Sequence, residues 1–126
     1  MVEATKIVLH YYKAHGRAQQ IRYCLAAGGV EFENAFPAGG FPPSAEDKAK
    51  WVAIGKNTTT NVPMLVQGDK VYSQSSGCIR VAARKGGLMP TDDEEAAECD
   101  AMIAHADDLR SISYGALGAF GASPEA

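Results

Sequence analysis

The chain opens on a short β-branched and aromatic run, Lys6 to Tyr12 (KIVLHYY), the pattern of a strand. The segment after it, AHGRAQQIRYCLAAGG, sets Ala18, Ile21, Cys24 and Leu25 at helical spacing, and Gly28-Gly29 supplies the stop. Val30, Phe32 and Phe36 then fall at even offsets, as side chains facing one way on a strand do. A Gly- and Pro-rich loop, PAGGFPPS, leads to a short polar helix in EDKAKWVAIG and a second loop, KNTTTN.

From Val62 a second pattern begins. VPMLV and KVYS, joined at Gln67-Gly68-Asp69-Lys70, predict a β-hairpin, and SSGCIRVAARKGG predicts a helix that stops at Gly86-Gly87. The order is therefore β-α-β, linker, β-β-α. Pro90 marks a fresh boundary, and Thr91-Asp92-Asp93-Glu94 has capping-box form with acids crowding the first turn. A long helix is expected from there to about Ser113, with Cys99, Met102, Ile103, Ala106 and Leu109 turned inward. The expected division is an α/β domain over 1–88 and a linker with one helix over 89–126.

Composition adds exclusions. Apolar residues at 46% and charged residues at 21% belong to a globular chain that buries a core without disulfide staples. A net charge of −3, with Lys and Arg scattered, gives no footprint for nucleic acid, so a small molecule or a protein is the expected partner. Cys24, Cys78 and Cys99 form no CxxC pair and no metal spacing with His10, His15 and His105, and they read as reduced thiols with no metal. No apolar run approaches the ~20 residues of a membrane span, and the N-terminus lacks signal-peptide form. The expected location is cytoplasmic, with composition silent on an organelle.

Three strings and one spacing, in register, carry more than periodicity does: YYKAHGRAQQIRY, NVPML, SQSSGCIRVAARKGGL, and the interval from Pro63 to Gln74. Together they resemble the tyrosine-type glutathione transferases (alpha, mu, pi and sigma classes, with GRAQQIRY closest to sigma). The likeness is strong over residues 6 to about 90 and weaker to about 110. It implies a thioredoxin-like (βαβ-ββα) glutathione-binding domain followed by the beginning of an all-α domain.

The resemblance also implies roles. Tyr11, at the end of the first strand, matches the tyrosine whose hydroxyl donates to the glutathione sulfur, and Arg17 the arginine that supports it. A free thiol has a pKa near ~8.5, so the thiolate nucleophile must be stabilised; lowering that pKa by ~2 units takes roughly 2.7 kcal/mol. Without the motifs, Tyr11 and Tyr12 read as strand aromatics filling a core. Val62-Pro63 matches a cis-proline strand whose Val62 N–H and C=O pair with the cysteinyl backbone, with Asn61 just before it. Gln74 and Ser75 match the pair that holds the γ-glutamyl carboxylate at a helix start, although Ser75 or Ser76 also reads as a plain N-cap. Trp51 with Lys56, or else Lys50, matches the glycine-carboxylate loop, and Tyr12 joins the lining of the site. Asp108 matches a carboxylate that crosses a dimer interface to the glutathione amino group.

The implied function is a transferase that activates the glutathione thiol for attack on a small electrophile, as a homodimer when full length. The alternative is a non-catalytic transferase-like module acting as a subunit or adaptor of a larger complex. A thiol-disulfide oxidoreductase is disfavoured, because the loop from Tyr11 to His15 carries no cysteine.

Overall fold

The computed structural model describes residues 5–55 and 62–116. The chain divides into two compact units between Met89 and Pro90. In the first, β1 (Ile7–His10) runs through a 3-10 turn (Gly16–Ala18) into α1 (Gln19–Ala27), then β2 (Phe32–Ala35), α2 (Ala45–Gly55), β3 (Met64–Gln67), β4 (Lys70–Ser73) and α3 (Ser75–Lys85). The sheet order is β2-β1-β3-β4, with β1 parallel to β2 and antiparallel to β3, and β3 antiparallel to β4. This is the thioredoxin-like α/β arrangement that the element order predicts, followed by a helical region.

Local chemistry accounts for the elements. Ile7, Leu9 and Tyr11 are buried while Val8 and His10 are half-buried, the alternation of a strand with one face on the core. Ile21 and Leu25, one helical turn apart, turn α1 toward that core, joined by Leu65 from β3 and Cys78, Ile79 and Ala82 from α3. Each fully buried Leu or Ile contributes roughly 1.5–3 kcal/mol. The β3–β4 hairpin closes over the two residues between Gln67 and Lys70, with Gly68 at φ 63, as the primed turns that suit strand twist require.

Some expectations need correction. β2 ends at Ala35, and Phe36 is exposed instead of sharing a buried face with Val30 and Phe32, which are themselves only half-buried. In the second unit α4 spans Asp93–Ala116, longer than expected, and its cap is Asp92, whose carboxylate accepts the Glu95 N–H at 3.0 Å, so Thr91 is not the cap. Of the positions expected to face inward, Cys99, Met102, Ala106 and Leu109 are exposed and Ile103 is only half-covered. Among the described residues the second unit holds α4 alone, so its apolar positions have no second element of that unit to pack against.

Candidate functional site

Strand register assembles the site. Ala35, His10, Met64 and Ser73 form one rung across the sheet, at the ends of β2, β1, β3 and β4. The residues that step off this rung are Phe36, Tyr11, Pro63 and Gln74. Adjacent strands are about 4.8 Å apart, so Tyr11, Pro63 and Gln74, which are far apart in sequence, meet along one edge of the sheet. The Tyr11 N–H still pairs with the Ala35 carbonyl at 3.2 Å, which carries the β1–β2 ladder to this edge.

Tyr11 is buried, and its hydroxyl oxygen accepts a hydrogen bond from the Arg17 backbone N–H at 3.1 Å. Arg17 thus reaches Tyr11 through its main chain. The approach depends on Gly16, held at φ 42: a Cβ built there overlaps the Tyr11 hydroxyl oxygen and lies 2.9 Å from ring carbons Cε2 and Cζ. With a lone pair used by that N–H, the hydroxyl keeps its proton to donate elsewhere. His10, one residue back on β1, is pushed below the usual histidine pKa by burial and is therefore a neutral imidazole at pH 7.

Tyr12 faces a different group of neighbours. Its ring meets Tyr11, Phe41 and Trp51 edge-on, with centroids 5.2, 5.1 and 5.7 Å apart. Burial first, then the nearby Asp47 carboxylate, raises the Tyr12 pKa, so its hydroxyl stays protonated. Trp51, on α2, is buried against this cluster.

The loop that brings Phe41 to Tyr12 is gathered by Asp47. The buried carboxylate of Asp47 accepts the N–H groups of Ala38 (3.2 Å), Gly39 (3.1 Å) and Ser44 (3.2 Å) and the Ser44 hydroxyl (2.9 Å), while Ser44 Oγ accepts the Asp47 N–H at 3.1 Å. Burial works against the charge, but the Ser44, Gly39 and Ala38 hydrogen bonds outweigh it and hold the carboxyl below its ordinary range. Ser44-x-x-Asp47 is a capping box, and its spacing was open to reading in the sequence. The cis Phe41-Pro42 bond in this loop had no such signal.

Val62-Pro63 is cis, as expected, with Pro63 buried and Val62 half-buried immediately before β3. Gln74 is exposed and sits at φ 65, ψ 134, the one non-glycine residue among those described with positive φ. Ser75 is buried as the first residue of α3. Gln74 occupies the N-cap position, with no side-chain cap bond, which corrects the reading of Ser75 or Ser76 as the cap. The first N–H groups of α3 have no partner within the helix.

Not every expected residue joins this edge. Lys56 and Asn61 lie outside the described residues. Lys50 is exposed and pairs with Glu46 at 3.6 Å. Asp108 is an exposed residue of α4, in the second unit.

Arg22, on α1, was missed by sequence reasoning. Its Nε donates to Asn34 Oδ1 (2.9 Å), its Nη1 to Ala14 O (2.8 Å) and Gln19 Oε1 (2.9 Å), and its Nη2 to Tyr12 O (3.3 Å), while its Cζ stands 6.0 Å from the Tyr11 ring centroid. It also lines, with Lys13, Ala14, His15 and Phe36, an open pocket of about 220 Å³ on the β1–α1 loop. The one clue was a basic residue directly after core position Ile21.

The thiol nearest Pro63 is Cys78, with Sγ 4.0 Å from Pro63 O and 3.3 Å from Tyr72 O; burial pushes it up to about 11 despite backbone hydrogen bonds, so it is no nucleophile at pH 7. Among the described residues no three of His, Cys, Asp and Glu gather as metal ligands, and no helix is long and apolar enough to cross a membrane.

Comparison with known proteins identifies a family. The family model described as the glutathione S-transferase N-terminal domain matches residues 7–77. Glutathione S-transferase A1 of Mus musculus is 37% identical over 97 residues, covering 77% of this chain and 41% of the relative. Glutathione S-transferase A3 of Homo sapiens is 36% identical over 110 residues, covering 86% and 47%. The chain spans less than half the length of these curated relatives. Among solved structures, a Nu-class transferase of Haemonchus contortus superposes with a TM-score of 0.65 at 24% identity, over 82% of this chain and 47% of its own. A nematode-specific Caenorhabditis elegans transferase superposes at 0.72 and 20% identity, over 90% and 52%. At these identities the superpositions speak for the fold.

Proposed function

The chain belongs to the glutathione S-transferase N-terminal domain family, and from that premise we propose that it binds glutathione along the edge formed by Tyr11, Pro63 and Gln74 and activates the thiol through the Tyr11 hydroxyl. The observation that carries the reading is the Tyr11 hydroxyl itself: carried on a buried side chain, receiving the Arg17 N–H, and left with one proton to give. A donor held in place before the sulfur arrives costs no reorganisation and favours the thiolate over the thiol.

The tripeptide fits the remaining groups by their chemistry. Val62 offers an N–H and a C=O at the start of β3 for the cysteinyl backbone, in the manner of an added strand. The Gln74 amide, the Ser75 hydroxyl and the first N–H groups of α3 suit the γ-glutamyl carboxylate, with the helix dipole in support. Trp51, with Lys56 after α2, is assigned to the glycyl end, Asn61 to the cis-proline strand beside Val62, and Tyr12 to the wall between. Asp108 is assigned to the glutathione amino group of a partner subunit, which makes the full-length protein a homodimer. The thiol gives its proton to water. The thiolate lone pair then forms a bond to an electrophilic carbon, and the displaced group leaves with its bonding pair, or the neighbouring carbon takes a proton from water. Tyr11 keeps its proton throughout.

Replacing Tyr11 with Phe tests this. Titration calorimetry is expected to give a glutathione affinity within a few-fold of wild type, while thiolate absorbance against pH shows a raised thiol pKa. Thiolate retained in Tyr11→Phe but lost in Tyr12→Phe would move the role to Tyr12. Bound glutathione with no thiolate in the unaltered protein would instead support a non-catalytic module.

A further inference from the structure

We propose that Arg22 is a positioning residue for the Tyr11 hydroxyl: its guanidinium clasps the backbone that follows Tyr11 and holds a fixed positive charge over the phenol ring, strengthening the hydroxyl as a donor to a bound thiolate. The proposal rests on the reading of Tyr11 given above.

The clasp follows from the four hydrogen bonds. The carbonyls of Tyr12 and Ala14 flank Lys13 in the turn that leads from Tyr11 to Gly16, and Arg22 holds both with one fork. The turn is closed on itself by the Ala14 N–H donating to the same Tyr12 carbonyl at 2.8 Å. Asn34 on β2 and Gln19 on α1 fix the other two guanidinium donors, so the group is anchored to three parts of the fold at once. Only a planar fork with several donors spans such a set, which a lysine ammonium does not.

The charge follows from the nature of those partners. All four acceptors are neutral, two backbone carbonyls and two side-chain amides, so no bonded carboxylate cancels the guanidinium. Partial burial draws the Arg22 pKa below its ordinary value, yet an arginine keeps its proton at any pH the protein meets. A fixed cation 6.0 Å from the ring centre then favours negative charge on and near the phenol oxygen. At such separations a unit charge moves a neighbouring ionisation by about half a pH unit even with the dielectric of water, and by more in a drier site.

The test uses the whole native protein with glutathione as probe. Arg22→Gln, which removes the charge, is expected to raise the pKa of the bound thiol by roughly a few tenths of a unit or more while glutathione affinity stays within about threefold. Its rate of conjugation is expected to fall at neutral pH and to recover as pH rises, whereas a loss of fold would lower the rate at every pH. Arg22→Lys keeps the charge but not the fork and is expected to restore only part of the shift; equal shifts in the Lys and Gln variants would overturn charge as the cause. Should Arg22→Gln fail to fold, Asn34→Ala frees Nε without removing the charge, and an upward shift is again expected. An unchanged thiol pKa in Arg22→Gln, or in Asn34→Ala where the Gln variant does not fold, overturns the proposal. If Tyr11→Phe leaves the thiolate in place, the reading of Tyr11 fails and the proposal with it. If Tyr11→Phe removes the thiolate while Arg22→Gln leaves the thiol pKa unmoved, only the role of Arg22 falls.

Discussion

A Cβ added to Gly16 overlaps the hydroxyl oxygen of Tyr11, so the position of that hydroxyl and the absence of a side chain at residue 16 are one structural fact. The backbone there, at φ 42, is also a conformation that costs an ordinary residue about 1–2 kcal/mol. Gly16→Ala is therefore expected to destabilise the domain by more than that strain alone, and to push the hydroxyl off the Arg17 N–H. The check is a double-mutant cycle in urea: Gly16→Ala should cost less in a Tyr11→Phe background, where the overlapping oxygen is gone, although ring carbons at 2.9 Å keep the relief partial. Equal costs in both backgrounds would mean that strain, not the hydroxyl, dominates.

Two more glycines mark the crossing of α1 and α3. A Cβ on Gly28 would lie 2.5 Å from the Gly86 Cα, and one on Gly86 would lie 2.6 Å from the Gly28 Cα. Each obstacle is backbone and cannot swing aside. Ala82 and Ala83, buried on α3, keep the same helix small as it approaches. Gly28→Ala and Gly86→Ala are each expected to lose about 1–3 kcal/mol by overpacking. Gly77, within α3, meets nothing inside 4 Å, so Gly77→Ala is expected to gain up to about 1 kcal/mol from helix propensity. Urea unfolding of the three variants checks the contrast, and a Gly86→Ala protein as stable as wild type would show that the helices can separate at little cost.

The sequence made legible what depends on period and on short motifs. KIVLHYY, the helical spacing of Ile21 and Leu25, and the hairpin around Gly68 led to the correct strand and helix order, and register then brings Tyr11, Pro63 and Gln74 to one edge. What stayed hidden depends on side chains meeting across elements. Arg22 reads as an ordinary charged helix residue until Asn34, Ala14 and Tyr12 are placed around it. The apolar positions of α4 showed the opposite failure. Spacing marks Met102 and Leu109 as a face to be covered, but what covers a face is not written in the helix that carries it.

Asp47 gives a pH prediction. Its folded pKa is depressed, so the stability it contributes is present above the unfolded carboxyl value of about 3.9 and is lost as pH falls through the lower folded value. Asp47→Asn keeps the size but exchanges one oxygen for an amide NH₂, while the two oxygens of the native carboxylate accept main-chain N–H groups on both sides. Either orientation of the amide then sets a donor against a donor. The variant is expected to be less stable at pH 7 and to show a flatter fall in stability between about pH 5 and the acid limit. Urea midpoints measured across that range check it, and parallel curves for the two proteins would remove Asp47 from the acid response.

Gln74 allows stability and binding to be separated, because its backbone and its side chain are given different jobs. At φ 65, ψ 134 the residue holds a conformation that costs a side-chain-bearing residue about 1–3 kcal/mol and that glycine adopts freely. Its carboxamide, meanwhile, is assigned to the γ-glutamyl carboxylate of glutathione, and a hydrogen bond to a charged group is worth roughly 1.5–3 kcal/mol. Gln74→Gly is therefore expected to raise the urea midpoint, less whatever the freer unfolded chain takes back, while weakening glutathione by about tenfold or more. Gln74→Ala removes the same carboxamide but keeps the strain, so it should weaken binding equally without the gain in stability. The two variants thus share a binding defect and differ in stability, a pattern that general damage to the α3 start does not produce. A Gln74→Gly protein that binds glutathione as tightly as wild type would remove Gln74 from the site, whatever its stability.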